Sequence, residues 1–284
     1  MIRSVAQSRM ASAAIIATMT LAALAGCKRK EEAQPPAPAA APAPAVTPAD
    51  AAAPLKYESK NAYAEVALTL PEALKGQPDL HARLYADAVR DLRQFTEGAQ
   101  ADRSEFGDDS GIPAYSKDVT LNAAAETGKL LSLRQTSYEF TGGAHPNTTY
   151  GAVLWDKALK RDVTAATLFR AGTDMSPLDR YLCEAINRAK KARGSDEPVT
   201  LGDGDSGFSC PKAAATAFVL APSKTPGKAG GLTFLINPYQ VAAYAVGPFE
   251  ITLPHSIFHA LLNPAYADEF AGEPVKTGDT TPMD

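Results

Sequence analysis

From Tyr63 to Leu70 apolar and polar side chains alternate. Ala64, Val66, Leu68 and Leu70 fall on one face, Tyr63, Glu65 and Thr69 on the other, and Pro71 ends the run. Period-two alternation over eight residues predicts a half-buried strand. The period then changes. With Asp79 as N-cap, Leu80, Leu84, Ala88, Leu92 and Phe95 trace one face of an amphipathic helix. Strands are expected over 115–121, 129–140 and 148–155, with Glu126-Thr127-Gly128 turning between the first two. The loop Thr141-Gly142-Gly143-Ala144-His145-Pro146-Asn147 leads into the third.

A second unit begins near Thr164. Ser176 offers a capping hydroxyl and Pro177 suits the first helical turn. Leu178, Leu182, Ile186 and Ala189 carry the stripe, and Lys190, Lys191, Arg193 and Gly194 mark the end. Strands follow over 217–220, 232–236 and 249–253, with Asn237-Pro238-Tyr239 as a turn and Pro254 as a stop. A short helix is expected over 255–262. Hairpins interrupted by helices, without strict βαβ alternation, read as α+β: mostly antiparallel sheets with packed helices, as two small modules in one folded region.

The termini differ in kind. Arg3 and Arg9 precede an apolar run over 10–24, shorter than the ~18 residues of a spanning helix. Leu24-Ala25-Gly26-Cys27 closes it and resembles the lipobox of bacterial lipoproteins. That resemblance implies a signal peptide over 1–26 and a lipid on Cys27, which becomes the mature first residue. Lipid attachment at Cys27 makes the membrane a partner. Lys28, Arg29 and Lys30 form a cationic collar beside anionic headgroups. Position 28 is not the aspartate that retains lipoproteins at the inner membrane, so the expected address is the outer membrane, facing the periplasm. Residues 27–56 read as anchor and tether. The Ala/Pro alternation over 31–54 has no large apolar side chain to bury and favours extended chain, at most ~75 Å at about 3.1 Å per residue. Residues 267–284, polar and rich in Pro, Gly and Thr, read as a disordered tail.

The full chain has 28 basic and 32 acidic residues, for a formal charge of −4. Losing Arg3 and Arg9 with the signal makes the mature protein more acidic still. That balance argues against nucleic acid, whose affinity is built from Lys/Arg–phosphate contacts. Once Cys27 is lipidated, Cys183 and Cys210 remain, and an even pair in an oxidising compartment forms one disulfide. A catalytic thiol would need a histidine, and none lies near either position.

Two segments resemble a known family. Leu133-Arg134-Gln135-Thr136-Ser137-Tyr138-Glu139-Phe140-Thr141-Gly142-Gly143-Ala144-His145-Pro146, with Tyr150-Gly151 and Trp155, resembles a strand–Gly-Gly-Ala-His–strand signature. That signature belongs to an envelope module shared by PdaC-type peptidoglycan deacetylases, where it is non-catalytic, and RsiV-type anti-sigma factors. Residues 231–251, from Gly231-Leu232-Thr233-Phe234-Leu235-Ile236-Asn237-Pro238-Tyr239-Gln240-Val241 to Ile251, resemble the C-terminal module of the RsiV-type extracellular region. The resemblance assigns 57–160 to the first module and 161–266 to the second. RsiV-type proteins bind lysozyme, and PdaC-type relatives act on peptidoglycan through a separate catalytic domain. No cytoplasmic sigma-binding segment, transmembrane helix or deacetylase domain is expected from this sequence, so neither anti-sigma nor deacetylase activity is. What transfers is the fold and a binding role toward peptidoglycan or a lysozyme-like hydrolase.

The candidate ligand-binding residues are Gly142, Gly143, His145, Asn147, Tyr239 and Tyr244. Glycines can present a loop histidine to a ligand; the competing reading is a tight connection whose imidazole bonds a nearby carbonyl. Tyr239, Tyr244 and Phe249 offer contact area, or else pack the core. A hydrolase would pair His145 with Glu139 or Asp156, and a passive structural lipoprotein would have no ligand at all. His255 and His259, four apart on the expected helix, lack the glutamate of a zincin, since position 256 is Ser. Asp203-Gly204-Asp205 lacks the bidentate Glu of a calcium loop, and Ser206-Gly207 lacks the nucleophile elbow. No catalytic residue, metal ligand or cofactor is assigned.

Overall fold

The alternation over 63–70 is realised as β2 (Ala64–Thr69), flanked by an edge strand β1 (Lys56–Lys60) that the sequence pattern does not predict. A computed structural model describes residues 53–107, 113–202, 207–275 and 278–279. The lipobox, most of the tether and the Asp203–Asp205 turn lie outside these residues. All the described residues belong to one compact unit. Among them, no helix is long and apolar enough to cross a membrane.

The first sheet has six strands in the order β1-β2-β3-β4-β5-β6, with β3 at Tyr115–Glu126, β4 at Leu130–Phe140, β5 at Asn147–Asp156 and β6 at Arg161–Asp162. Only β2 and β3 run parallel. The helix α1 (Pro78–Phe106) forms the crossover that parallel pairing requires. It buries Leu80, Val89, Leu92 and Ala99 against Val66, Leu68, Val119 and Leu121. Asp79 is not its cap. Pro78 takes the first helical turn after Gln77, and the Gln77 side chain is turned to Trp155, whose Nε1 donates to Oε1 at 3.1 Å.

Successive residues of β4 and β5 enter different cores. Leu131, Leu133 and Trp155 pack under α1. Leu130 and Leu154 face the second core, with Leu182, Ile186, Leu220 and Phe234. Between them Ser132, fully buried, accepts from the Leu220 amide at 2.9 Å. The six-stranded sheet is thus a shared layer, which explains why β4 lacks a clean apolar–polar alternation.

The second core is built on α3 (Ser176–Ala192) and an antiparallel sheet of β7 (Phe218–Pro222), β8 (Ala229–Ile236) and β9 (Phe249–Pro254), with β9 at one edge. A one-turn helix, α2 (Ala165–Leu168), precedes α3. Ser176 does not cap α3 through its hydroxyl; Met175 is the N-cap, and the Asp174 carboxylate accepts from the Ser176 amide at 2.9 Å. Cys183 and Cys210 form the disulfide, with Cα atoms 5.3 Å apart, and tie α3 to the segment before β7.

Two expectations for the C-terminal region fail. The helix over 255–262 is two separate 3-10 turns, His255–Ile257 and His259–Leu261. Phe258 interrupts them because its ring is drawn into the core, fully buried. Nor are residues 267–275 a disordered tail. After α4 (Pro264–Ala267), Phe270 is buried and the Glu269 carboxylate accepts from the Lys129 amide at 2.8 Å, so that it caps the start of β4. The segment is polar in composition, but its few apolar and charged side chains have specific partners.

Candidate functional site

The loop between β4 and β5 and the turn after β8 meet at the surface. Gly142, at φ +84°, takes the left-handed conformation the loop needs, and no atom crowds Gly143. Beyond them His145 is exposed, its ring stacked on that of Tyr244 with centroids 4.0 Å apart and planes at 18°. Its Nδ1 lies 2.9 Å from the Pro146 carbonyl, which can only accept, so Nδ1 carries the proton. Nε2 is then free to accept from the Tyr239 hydroxyl, 3.5 Å away. The Tyr244 hydroxyl donates to the same Pro146 carbonyl at 2.7 Å. Tyr239 and Tyr244 complete the cluster, with centroids 5.4 Å apart.

The turn is held from below. Asn237 reaches across to β5, accepting from the Tyr150 amide at 2.6 Å and donating to its carbonyl at 3.2 Å. Asn237 and Gln240 close Asn237-Pro238-Tyr239-Gln240, the Gln240 amide donating to the Asn237 carbonyl at 3.2 Å. Tyr239 sits at φ +64°, a conformation that costs a side-chain-bearing residue on the order of 1 kcal/mol or more. It is also 55% exposed. A large aromatic residue held in strained backbone while most of its surface faces water does little packing. Phe249 is different: it is buried in the second core.

Lys190 of α3 and Arg193, the residue that follows its last turn, fix the rest of the segment. Arg193 donates to the Val246 and Pro248 carbonyls at 3.0 and 2.6 Å. Lys190, buried, donates to the Val241 carbonyl at 2.8 Å. Burial lowers the Lys190 pKa below its ordinary 10.5, with Glu197 opposing the shift. In the window between the lowered value and 10.5 the unfolded chain binds more protons, so this lysine makes stability rise with pH. Tyr115 and Tyr266, raised chiefly by burial, and Lys117, raised by Asp91 and Glu139 against burial, act in the opposite sense near and above pH 10. Urea titrations at stepped alkaline pH should therefore show a shallower rise for Lys190→Met than for the parent chain; equal slopes would contradict this account.

The structure thus brings together His145, Tyr239 and Tyr244 of the residues singled out from sequence. Gly142 and Gly143 shape the loop. Asn147 is the exposed first residue of β5, paired in the ladder with Glu139. Sequence reasoning treated Asn237 as a turn former and Lys190 and Arg193 as helix-end cations. It had no signal for their reach into this segment, because each partner lies more than fifty residues away.

The carboxylates proposed to work with His145 are committed elsewhere. Glu139 pairs with Lys117 at 3.3 Å. Asp156 stands at the other end of β5, about 30 Å away at ~3.3 Å per residue. It is buried, accepting from the Ala158 and Leu159 amides at 3.0 and 2.9 Å and from the Tyr266 hydroxyl at 3.0 Å. His255 and His259 do not share a helix face; their rings meet edge to face at 5.6 Å, and His255 Nδ1 lies 3.3 Å from the Gly230 carbonyl.

Residues 57–148 match the family model "Deacetylase PdaC", and residues 166–256 match "Protein of unknown function (DUF3298)". Among curated proteins, Immunogenic protein MPT64 of Mycobacterium tuberculosis and Immunogenic protein MPB64 of Mycobacterium bovis are each 27% identical over 125 residues, 44% of this chain. The match spans about half of those relatives, 49% of their length. A DUF3298 family member from Bacteroides fragilis is 20% identical with a TM-score of 0.47, covering 72% of this chain and 87% of the other. A DUF3298 protein from Pseudomonas aeruginosa PAO1 is 19% identical with a TM-score of 0.46, covering 77% and 94%. The His145 loop falls within the first matched region and the Tyr239–Tyr244 segment within the second, so the chain joins a PdaC-type module to a DUF3298 module, in that order.

Proposed function

We propose that this protein is a lipid-anchored, non-catalytic binding protein of the cell envelope. Its recognition surface is the His145–Tyr239–Tyr244 cluster at the seam of the two modules, and its ligand is peptidoglycan or a lysozyme-like hydrolase. The lipid sits on Cys27, and the Ala/Pro tether holds the binding domain off the outer membrane on its periplasmic side. The observation that supports the reading is the convergence of one loop from each module on three clustered rings, His145 stacked on Tyr244 and Tyr239 tilted beside it, with exposed Tyr239 held in strained backbone. Aromatic rings with polar edges supply large contact area at low entropy cost, as glycan and protein partners both require. Glu139 and Asp156, the two carboxylates a hydrolase reading would pair with His145, are engaged in other contacts.

The full chain, purified in detergent, should be retained at micromolar concentration by murein sacculi or by immobilised lysozyme. Tyr239→Ala and His145→Ala should each weaken retention about tenfold or more, as loss of an anchor residue does, and shift thermal stability only slightly. The reading fails if neither matrix retains the parent chain, or if both variants bind as well as it does. Mass spectrometry of the mature product should find a diacylglycerol on Cys27; an unmodified terminus upstream would remove the anchor.

A further inference from the structure

Behind the aromatic cluster, the outer edge of β9 carries a second arrangement that the function above does not use. We infer that this edge, together with Arg193, is a docking seat for an extended acidic peptide of a partner protein, and that the chain's own Gly278 and Asp279 occupy it as an intramolecular stand-in. The seat uses none of the three rings of the proposed function, although Arg193 also holds the segment that follows Tyr244.

Asp279 is bound as a peptide ligand would be. Its amide donates to the Glu250 carbonyl at 2.7 Å, and the Glu250 amide donates to its carboxylate at 2.8 Å. Gly278 makes an isolated antiparallel bridge to Ile251, so these two residues lie against β9 as a peptide added to its edge would. The other carboxylate oxygen of Asp279 lies 2.7 Å from Arg193 Nη2. Strand addition at an exposed edge combines main-chain pairing with one side-chain pocket, and both are present. Around the contact is a pocket of about 310 Å³, lined by Tyr150, Arg193, Pro248 and Glu250 beside the strap itself.

The seat does not depend on its occupant. Arg193 is held by the Val246 and Pro248 carbonyls and lies over the Phe249 ring, 4.2 Å from its centroid. None of these contacts involves the strap. The Glu250 carboxylate is already paired with Arg134, whose guanidinium lies 4.6 Å from the Tyr150 ring centroid. Two cations therefore face one resident anion, and Asp279 supplies the second. With the strap lifted, the seat keeps one unmatched positive charge and a free amide–carbonyl pair, which together select an extended backbone bearing a carboxylate.

The strap is built to fit and is short enough to leave. A Cβ on Gly278 would lie 2.3 Å from the Glu250 carbonyl oxygen, and its φ of +62° disfavours any side chain. Its root is fixed at Val275, whose amide donates to the Pro222 carbonyl at 2.8 Å. So short a tether presents Asp279 at an effective concentration on the order of millimolar, which a free peptide must outcompete.

The test uses the full chain and a labelled peptide copying residues 275–284, read by fluorescence polarisation. Gly278→Val expels the strap and leaves the seat intact, so this variant should bind the peptide about tenfold or more tighter than the parent chain. The gain should disappear when the peptide carries Asn in place of its residue-279 aspartate, and when Arg193→Gln is added to the chain. Should Gly278→Val fail to fold, by its thermal melt, Asp279→Ala in the full chain supplies the same comparison. Equal affinity for parent and strap-released chains overturns the proposal. So does binding that ignores the aspartate or Arg193.

Discussion

Replacing Phe258 with alanine should cost about 3–5 kcal/mol of unfolding free energy, the range for deleting a buried aromatic side chain. Phe258 is fully buried, and its ring meets two others edge to face: Phe169 at 6.0 Å and 83°, and Phe270 at 5.6 Å and 89°. These three rings connect the segment after α2, the 3-10 turns and the chain that follows α4. None comes from a regular strand or a long helix, so the cavity left by truncation has little rigid structure to collapse onto. The denaturant midpoint should fall with an unchanged slope if the fold is otherwise kept. A loss under about 1 kcal/mol would mean that the surroundings close over the gap and that the ring cluster is not the pin described here.

Removing the disulfide has the next largest effect. Cys183 and Cys210 are separated by 27 positions, and closing a loop of that size stabilises the native state by roughly 3–4 kcal/mol on the chain-entropy model. For a domain of this length that corresponds to a fall in Tm of roughly 10 °C in the double serine variant. Both sulfurs are buried beside the Val199 carbonyl, and Asn187 fastens the same stretch by accepting from the Val199 amide and donating to its carbonyl, each at 2.8 Å. The loop is therefore held at two places. The variant should stay folded at room temperature while melting earlier, and an unchanged melting temperature would contradict the assignment of this bond as a structural staple.

Elements with a strong local period were legible in the sequence. The buried positions of β2 are those its alternation marks, and the stripes of α1 and α3 fall where the spacing places them. Ends were less legible, since they depend on competing hydrogen bonds. Gln77 precedes α1 without capping it because Trp155 takes its side chain, and Asp174 does for α3 what Ser176 was expected to do. The polar strand β1 has no apolar face to betray it; it forms because β2 offers an edge with a matching register. The aromatic cluster was half visible: the Gly-Gly loop and the tyrosines could be singled out one by one, but not their meeting across almost a hundred residues.

Hydrophobic period, turn residues and the cysteine pair, all properties of neighbouring positions, were enough to establish the α+β character, most of the strands and the disulfide. Tertiary structure alone decided that β4 and β5 serve two cores at once, that Lys190 and Arg193 hold the turn that carries Tyr239, and that residues 267–275 pack while Asp279 closes the edge of β9. Each of these rests on a partner far away along the chain. A buried ammonium or a strap carboxylate is stabilised by whatever the folded backbone brings within about 3 Å, and no local pattern encodes that.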